Sequence, residues 1–148
     1  MNTNIHISIQ KEAISIPELY EFCLEPDCGA VVLFSGTARN FSEGRPNVTS
    51  LAYEAYEELA IKVLYEIAEK IFELYKGVRK VAIVHRLGLL ALSESAVVVA
   101  VSSEHRNEAF EGAKYAIDTL KVKAPIWKKE TWVGGEDWSD STSMIIDT

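Results

Sequence analysis

The amino-acid sequence predicts an α+β fold made as one domain. Short segments with period-2 apolar alternation recur along the chain, and two long stretches repeat their apolar residues with the 3.6-residue period of a helix. The two patterns are mixed without strict βαβ alternation, which points to α+β. At 148 residues, with no repeat, low-complexity stretch or linker, the chain suits a single core, so one domain over residues 1–148 is expected, with the tail 139–148 as a candidate flexible end.

Taken in order, Ile5, Ile7 and Ile9 alternate with polar residues, as in a strand with one buried face. Ser15 can cap a short helix that carries Pro17 and Glu18 in its first turn and turns Leu19, Phe22 and Cys23 inward. After a turn at Gly29, the run Ala30-Val31-Val32-Leu33-Phe34 is continuously apolar, as in a strand covered on both faces. Asn, Ser, Gly and Pro cluster over residues 40–47, the most loop-like part of the chain. Leu51, Tyr53 and Ala55 then alternate as a strand.

From Glu57 to Tyr75, the residues Ala60, Ile61, Leu64, Ile67, Ala68, Ile71 and Leu74 form an amphipathic stripe, and Gly77 follows where a helix C-terminus favours it. Residues 78–87 and 95–103 are strand-like, with 88–92 between them. A second long helix over 107–121 is expected to bury Phe110, Ala113, Ile117 and Leu120, and Pro125 stops it from continuing. Residues 126–133 alternate as a strand, and Gly134-Gly135 reads as a turn.

The composition narrows the function classes. The chain is 48% hydrophobic and 25% charged, with a formal net charge of −7. Wholesale binding to nucleic acid or to an anionic membrane is not expected of so acidic a protein, and any anion must be held by a local basic pocket. No basic and apolar leader opens the chain, and no apolar run approaches the roughly 18–20 residues that span a bilayer. Cys23 and Cys28 bracket Pro26 at a spacing that is neither CxxC nor a zinc pattern, so they are expected to be reduced thiols of a cytoplasmic protein. The phosphate-loop, dinucleotide, zinc-protease and nucleophile-elbow motifs are missing. With histidines only at 6, 85 and 105 and two unpaired cysteines, a metal centre is not expected.

Three clusters have residue types suited to chemistry. His105-Arg106 stands where a strand meets a helix N-terminus, whose orphan N–H groups already favour an anion. A surface ion pair for Arg106 and a capping role for His105 remain open there. Lys121, Lys123, Lys128 and Lys129 concentrate positive charge around Pro125 and Trp127. Charge runs are usually solvated, and Lys121 would offset a helix dipole wherever it sat. Yet alternation puts Lys128 on the face of Ile126, pointing inward, and a desolvated lysine among cations becomes usable as a general acid/base or an amine nucleophile. Arg39 lies at the mouth of the 40–47 loop, at the end of a buried strand. His85-Arg86 lies within a strand and reads as structural or as part of an interface. Asp118 can be simply solvated or can orient Lys114 or Lys121, and Glu130 can form an ion pair that stabilises the fold.

In order along the chain, Phe34-x-Gly36-x-x-Arg39, Leu51-x-Tyr53-Glu54-x-Tyr56, His85-Arg86-x-Gly88, His105-Arg106-x-x-Ala109-Phe110, Ile117-Asp118-x-Leu120-Lys121 and Pro125-Ile126-Trp127-Lys128-Lys129-Glu130 resemble the catalytic (large) subunit family of molybdopterin synthases. The resemblance runs from about residue 29 to Trp138. It implies an α/β-hammerhead with mixed and antiparallel sheets and two long helices, in a homodimer that binds a small ubiquitin-like sulfur-carrier subunit at each end to make a heterotetramer.

The carrier's C-terminal Gly-Gly thiocarboxylate would enter a pocket on this chain and deliver two sulfurs to cyclic pyranopterin monophosphate, with no metal or organic cofactor. On that reading Lys121 is the general acid/base and Lys128 the electrostatic group, roles that could be exchanged. Arg39, His105 and Arg106 hold the substrate, Phe34 lines the tunnel for the carrier tail, and the 40–47 loop acts as a flap. Two rivals share parts of this reading: a non-enzymatic module that only presents a peptide tail, and a nucleic-acid platform using Trp127 and the lysines.

Overall fold

In the computed structural model, residues 2–41, 47–132 and 135–138 are described. The expected 40–47 flap lies largely, and the expected 139–148 tail wholly, outside them.

The chain folds as β1 (Ile5–Gln10), α1 (Ile16–Cys23), β2 (Ala30–Thr37), β3 (Val48–Ala55), α2 (Glu57–Leu74), β4 (Val78–Arg86), β5 (Gly88–Ala91), β6 (Ser95–Ser103), α3 (Arg106–Lys123), β7 (Ile126–Trp132) and β8 (Gly135–Trp138). Four strands form one sheet in the order β1-β4-β6-β2, and the other four form a second sheet in the order β5-β3-β7-β8. Only the β1–β4 pairing is parallel; the rest are antiparallel. The α+β expectation holds, with mixed and antiparallel sheets and two long helices.

The first sheet is covered on both faces. Val81, Ile83, Val97, Val99 and Val101 face α2 and α3 in the main core, while Ala82, Val84, Val98 and Ala100 pack with Leu19 and Cys23 of α1 on the other side. That two-sided burial explains the unbroken apolar runs of β4 and β6. β2 sits at the sheet edge. Val32 and Phe34 pack on the main core and Val31 and Leu33 on the second cluster, each only half-buried. Ser15 caps α1 by accepting from Glu18 N–H at 3.4 Å, and Gly77 leaves α2 at φ +96°, a left-handed position that disfavours a Cβ.

Several expectations need correction. Phe110 does not join the α3 core stripe; it is 60% exposed, and Ala109, Gly112, Ala113, Ala116, Ile117 and Leu120 make the buried face instead. A stripe built from small residues lets α3 lie close to α2 and β6, which leaves no room beneath it for a phenyl ring. On α2, Ile61 and Leu74 are likewise exposed at the flanks of the buried stripe. α3 runs on to Lys123, two residues past the expected end. Residues 88–91 form a strand against β3, and Gly135 opens a further strand, β8, against β7, while Gly134 of the expected turn lies outside the described residues.

Candidate functional site

α3 separates the basic residues into two groups. It leaves the end of β6, crosses that strand's face and returns, so Arg106 opens it and Lys121 lies in its last turn. At about 1.5 Å of rise per residue, the two stand roughly 22 Å apart along the axis.

The end reached by α3 gathers most of the candidate residues. Ala124 caps the helix, and the carbonyl of Pro125 accepts from Tyr56 N–H at 3.1 Å, tying the turn between α3 and β7 to the end of β3. In the β3–β7 ladder Lys128 lies opposite Tyr53, Glu130 opposite Leu51 and Ile126 opposite Ala55. Residues 126, 128 and 130 therefore share the inward face, and Lys128 is only 3% exposed. Its Nζ stands 3.6 Å from Oε2 of Glu130, itself 4% exposed. Trp127 and Lys129, one step out of phase, are less buried. Lys121 is half-buried in the last turn of α3, where its charge also complements the helix dipole. Asp118 bonds Lys114 at 2.6 Å, which settles its partner in favour of Lys114 over Lys121.

Arg39 follows β2 at this same end, because Thr37 pairs with Ser95 where β6 begins. Its guanidinium lies 4.7 Å from the centre of the Phe41 ring. Neighbouring backbone bonds secure the segment: Ala38 N–H donates to Glu94 O, and Val48 N–H to Asn40 O. Phe34 lies on β2 opposite Val99, half-buried against the main core.

His85 belongs to this end as well, and its burial is complete. Its ring meets Tyr53 edge-on, with centroids 4.9 Å apart. Nδ1 lies 2.7 Å from the Arg86 carbonyl, which can only accept, so Nδ1 carries the proton and Nε2 the lone pair. Burial pushes the imidazole down to about 4, partly opposed by the bond to Arg86 O, so the ring is neutral at pH 7. Among the described residues Nε2 has no hydrogen-bond partner. Leaving such an acceptor empty costs about 1–3 kcal/mol. Arg86 acts structurally, bonding Lys11 O and Glu94.

His105 and Arg106, both exposed, occupy the opposite end. His105 is the N-cap of α3 but makes no side-chain capping bond. The residue before it is held from several sides. Glu104 N–H donates to Gly77 O at 3.0 Å, and Glu104 O accepts from Gly29 N–H at 3.1 Å. Arg79 bonds the Glu104 carboxylate at 2.6 Å and Asp27 at 2.8 Å. A Cβ on Gly29 would sit 2.7 Å from Glu104 O, so this approach requires glycine. Arg79 also holds the Asp27 carboxyl below its ordinary value. Arg79 and Glu104 were not singled out in the sequence, and Tyr53 was read there only as a strand and motif residue. Arg79 meets partners 52 and 25 positions away, beyond any local pattern.

Cys23 and Cys28 are free thiols, and burial raises Cys23 to about 12. Among the described residues, no three His, Cys, Asp or Glu side chains gather as a metal would require, and no helix is long and apolar enough to cross a membrane.

A family model described as MoaE protein matches residues 9–123. The molybdopterin synthase catalytic subunit of a Nostoc species is 46% identical over 122 residues, covering 82% of this chain and 73% of that protein. The crystal structure of molybdopterin synthase from Staphylococcus aureus aligns with a TM-score of 0.85 at 39% identity, over 95% of this chain and 99% of that one. A complex of subunits 1 and 2 of the molybdopterin-converting factor from Helicobacter pylori shares the fold, with a TM-score of 0.75 at 24% identity over 91% and 90% of the two chains.

Proposed function

The chain belongs to the MoaE protein family, and from that premise we propose that it is the catalytic subunit of a molybdopterin synthase. In this role it transfers two sulfurs, one from each of two thiocarboxylated Gly-Gly ends of a small ubiquitin-like carrier subunit, to cyclic pyranopterin monophosphate, forming the dithiolene of molybdopterin and leaving the carrier ends as carboxylates. The observation that carries this reading is the inward Lys128, 3% exposed, at the end of the fold that also holds Lys121 and Arg39.

A buried ammonium in a chain of net charge −7 needs a reason. Both reactants are anions that repel each other, and clustered cations remove that barrier before any bond changes. Lys128, in its ion pair with Glu130, suits fixed electrostatic stabilisation of the thiocarboxylate and of charge developing during sulfur attack. Lys121, half-buried on a helix end, has the freedom to give and take protons as water leaves. Phe34 lines the path of the carrier tail. No metal or organic cofactor takes part.

Arg39, His105 and Arg106 hold the phosphate and the pterin. Because α3 keeps His105 and Arg106 roughly 22 Å from Lys121 within one chain, the three converge only if a second copy supplies the His105-Arg106 corner. The working unit is therefore a homodimer in which each pocket is built from both chains, with a carrier bound at each end to complete a heterotetramer. A module that merely presents a peptide tail would have no use for an inward lysine.

The test is to incubate the chain with thiocarboxylated carrier and cyclic pyranopterin monophosphate and to assay dithiolene formation. Product is expected with the native chain and a loss of about 100-fold or more with Lys121→Ala or Lys128→Ala. Full activity of Lys121→Ala would remove that residue from the mechanism.

A further inference from the structure

We propose that His85 is a positioning residue of the lysine pocket, its Nε2 accepting a hydrogen bond from one buried water shared with the Lys128–Glu130 pair. The proposal deepens the reading above and rests on it for its link to turnover.

Three observations converge on it. His85 is fully buried, and its Nε2 has no partner among the described residues. Buried polar atoms are almost always satisfied, and an exception in a native fold points to a water, a ligand or a functional contact. The tautomer is also determined: Nδ1–H is spent on the Arg86 carbonyl, so Nε2 can only accept. Finally, one side chain, Tyr53, both touches the imidazole and stands on the strand pair that carries the lysine. The His85 ring packs on Tyr53 at 4.9 Å, and Tyr53 lies opposite Lys128 on the inward face of the β3–β7 ladder. Directly opposed residues in such a ladder stand about 4.5–5.5 Å apart, so their side chains run together.

A lone pair, an ammonium and a carboxylate, all buried, give a trapped water the two or more polar partners it needs. Neutrality matters here, since a charged imidazole would repel the cation it is meant to position. Fixed by β4 backbone on one side and bound through water on the other, His85 would hold the Lys128 ammonium in place while the reactants change.

The direct measurement is the 15N shift of both ring nitrogens in the full-length chain, labelled with 15N-histidine, at neutral pH. The expected result is a protonated Nδ1 and an unprotonated, hydrogen-bonded Nε2 whose resonance moves in Lys128→Met. An Nε2 with a free lone pair, or one indifferent to Lys128→Met, overturns the proposal. Two variants then separate the nitrogens in the dithiolene assay. His85→Asn keeps a donor near the Nδ1 position and removes the acceptor, whereas His85→Gln places a polar atom near Nε2. The first should lower kcat roughly ten- to a hundredfold with little change in KM, and the second should recover most of it. Native kcat in His85→Asn overturns the proposal too. If the native chain makes no dithiolene, the functional reading fails, while the ring-nitrogen result still decides the place of His85.

Discussion

At the scale of single residues, burial separates side chains that look equivalent on paper. Lys128 and Lys129 are neighbours of one type, yet the strand pleat sends one inward beside Glu130 and leaves the other nearer the surface. The inward direction was legible, because Lys128 alternates in phase with Ile126. The surroundings of His85 were not, since the Tyr53 ring beside it comes from the other sheet. That burial has a consequence for acid stability. With an ordinary value of 6.5 and about 4 in the fold, the unfolded chain binds a proton at His85 that the native chain refuses. The contribution of His85 is complete above pH 6.5 and is lost as pH falls toward 4. Denaturant titrations should give up to about 3 kcal/mol less stability at pH 4 than at pH 7 from this group. The acid loss should be smaller by a similar amount in His85→Asn; an identical pH dependence in that variant would contradict the assignment.

At the scale of elements, both long helices and most strands were readable because their periodicity is sustained over many residues. β5 and β8 were not. Each is four residues long and acquires its identity from pairing with β3 or β7, which no local pattern records. Phe110 was misplaced for a related reason, since the apolar stripe of α3 allowed two faces and only close packing on β6 and α2 selects the small-residue one. The β6–α3 junction is likewise a tertiary product, held by segments around residues 29, 77 and 79. Gly29→Ala forces a Cβ against Glu104 O and should cost about 1–3 kcal/mol in thermal or denaturant unfolding. Arg79→Ala releases the Glu104 carboxylate, but this partly exposed network should leave global stability almost unchanged. Faster amide exchange confined to the first turn of α3 is expected in that variant, whereas exchange spread evenly over the chain would argue against a local brace.

At the scale of the whole molecule, candidate residues could be named from the sequence, but where each stands in the fold could not. The family resemblance groups Arg39, His105 and Arg106 around the substrate; the length of α3 puts them at two ends of one chain. The proposed homodimer would reconcile the two, and that proposal can be measured. Lys121→Ala and Arg106→Ala damage opposite ends, so each variant alone should be nearly inactive in dithiolene formation. Co-refolding equal amounts lets half the dimers be mixed, and in each mixed dimer one pocket receives both native residues. Activity should return to about a quarter of the native level. A mixture no more active than its two components would contradict a pocket shared between two chains.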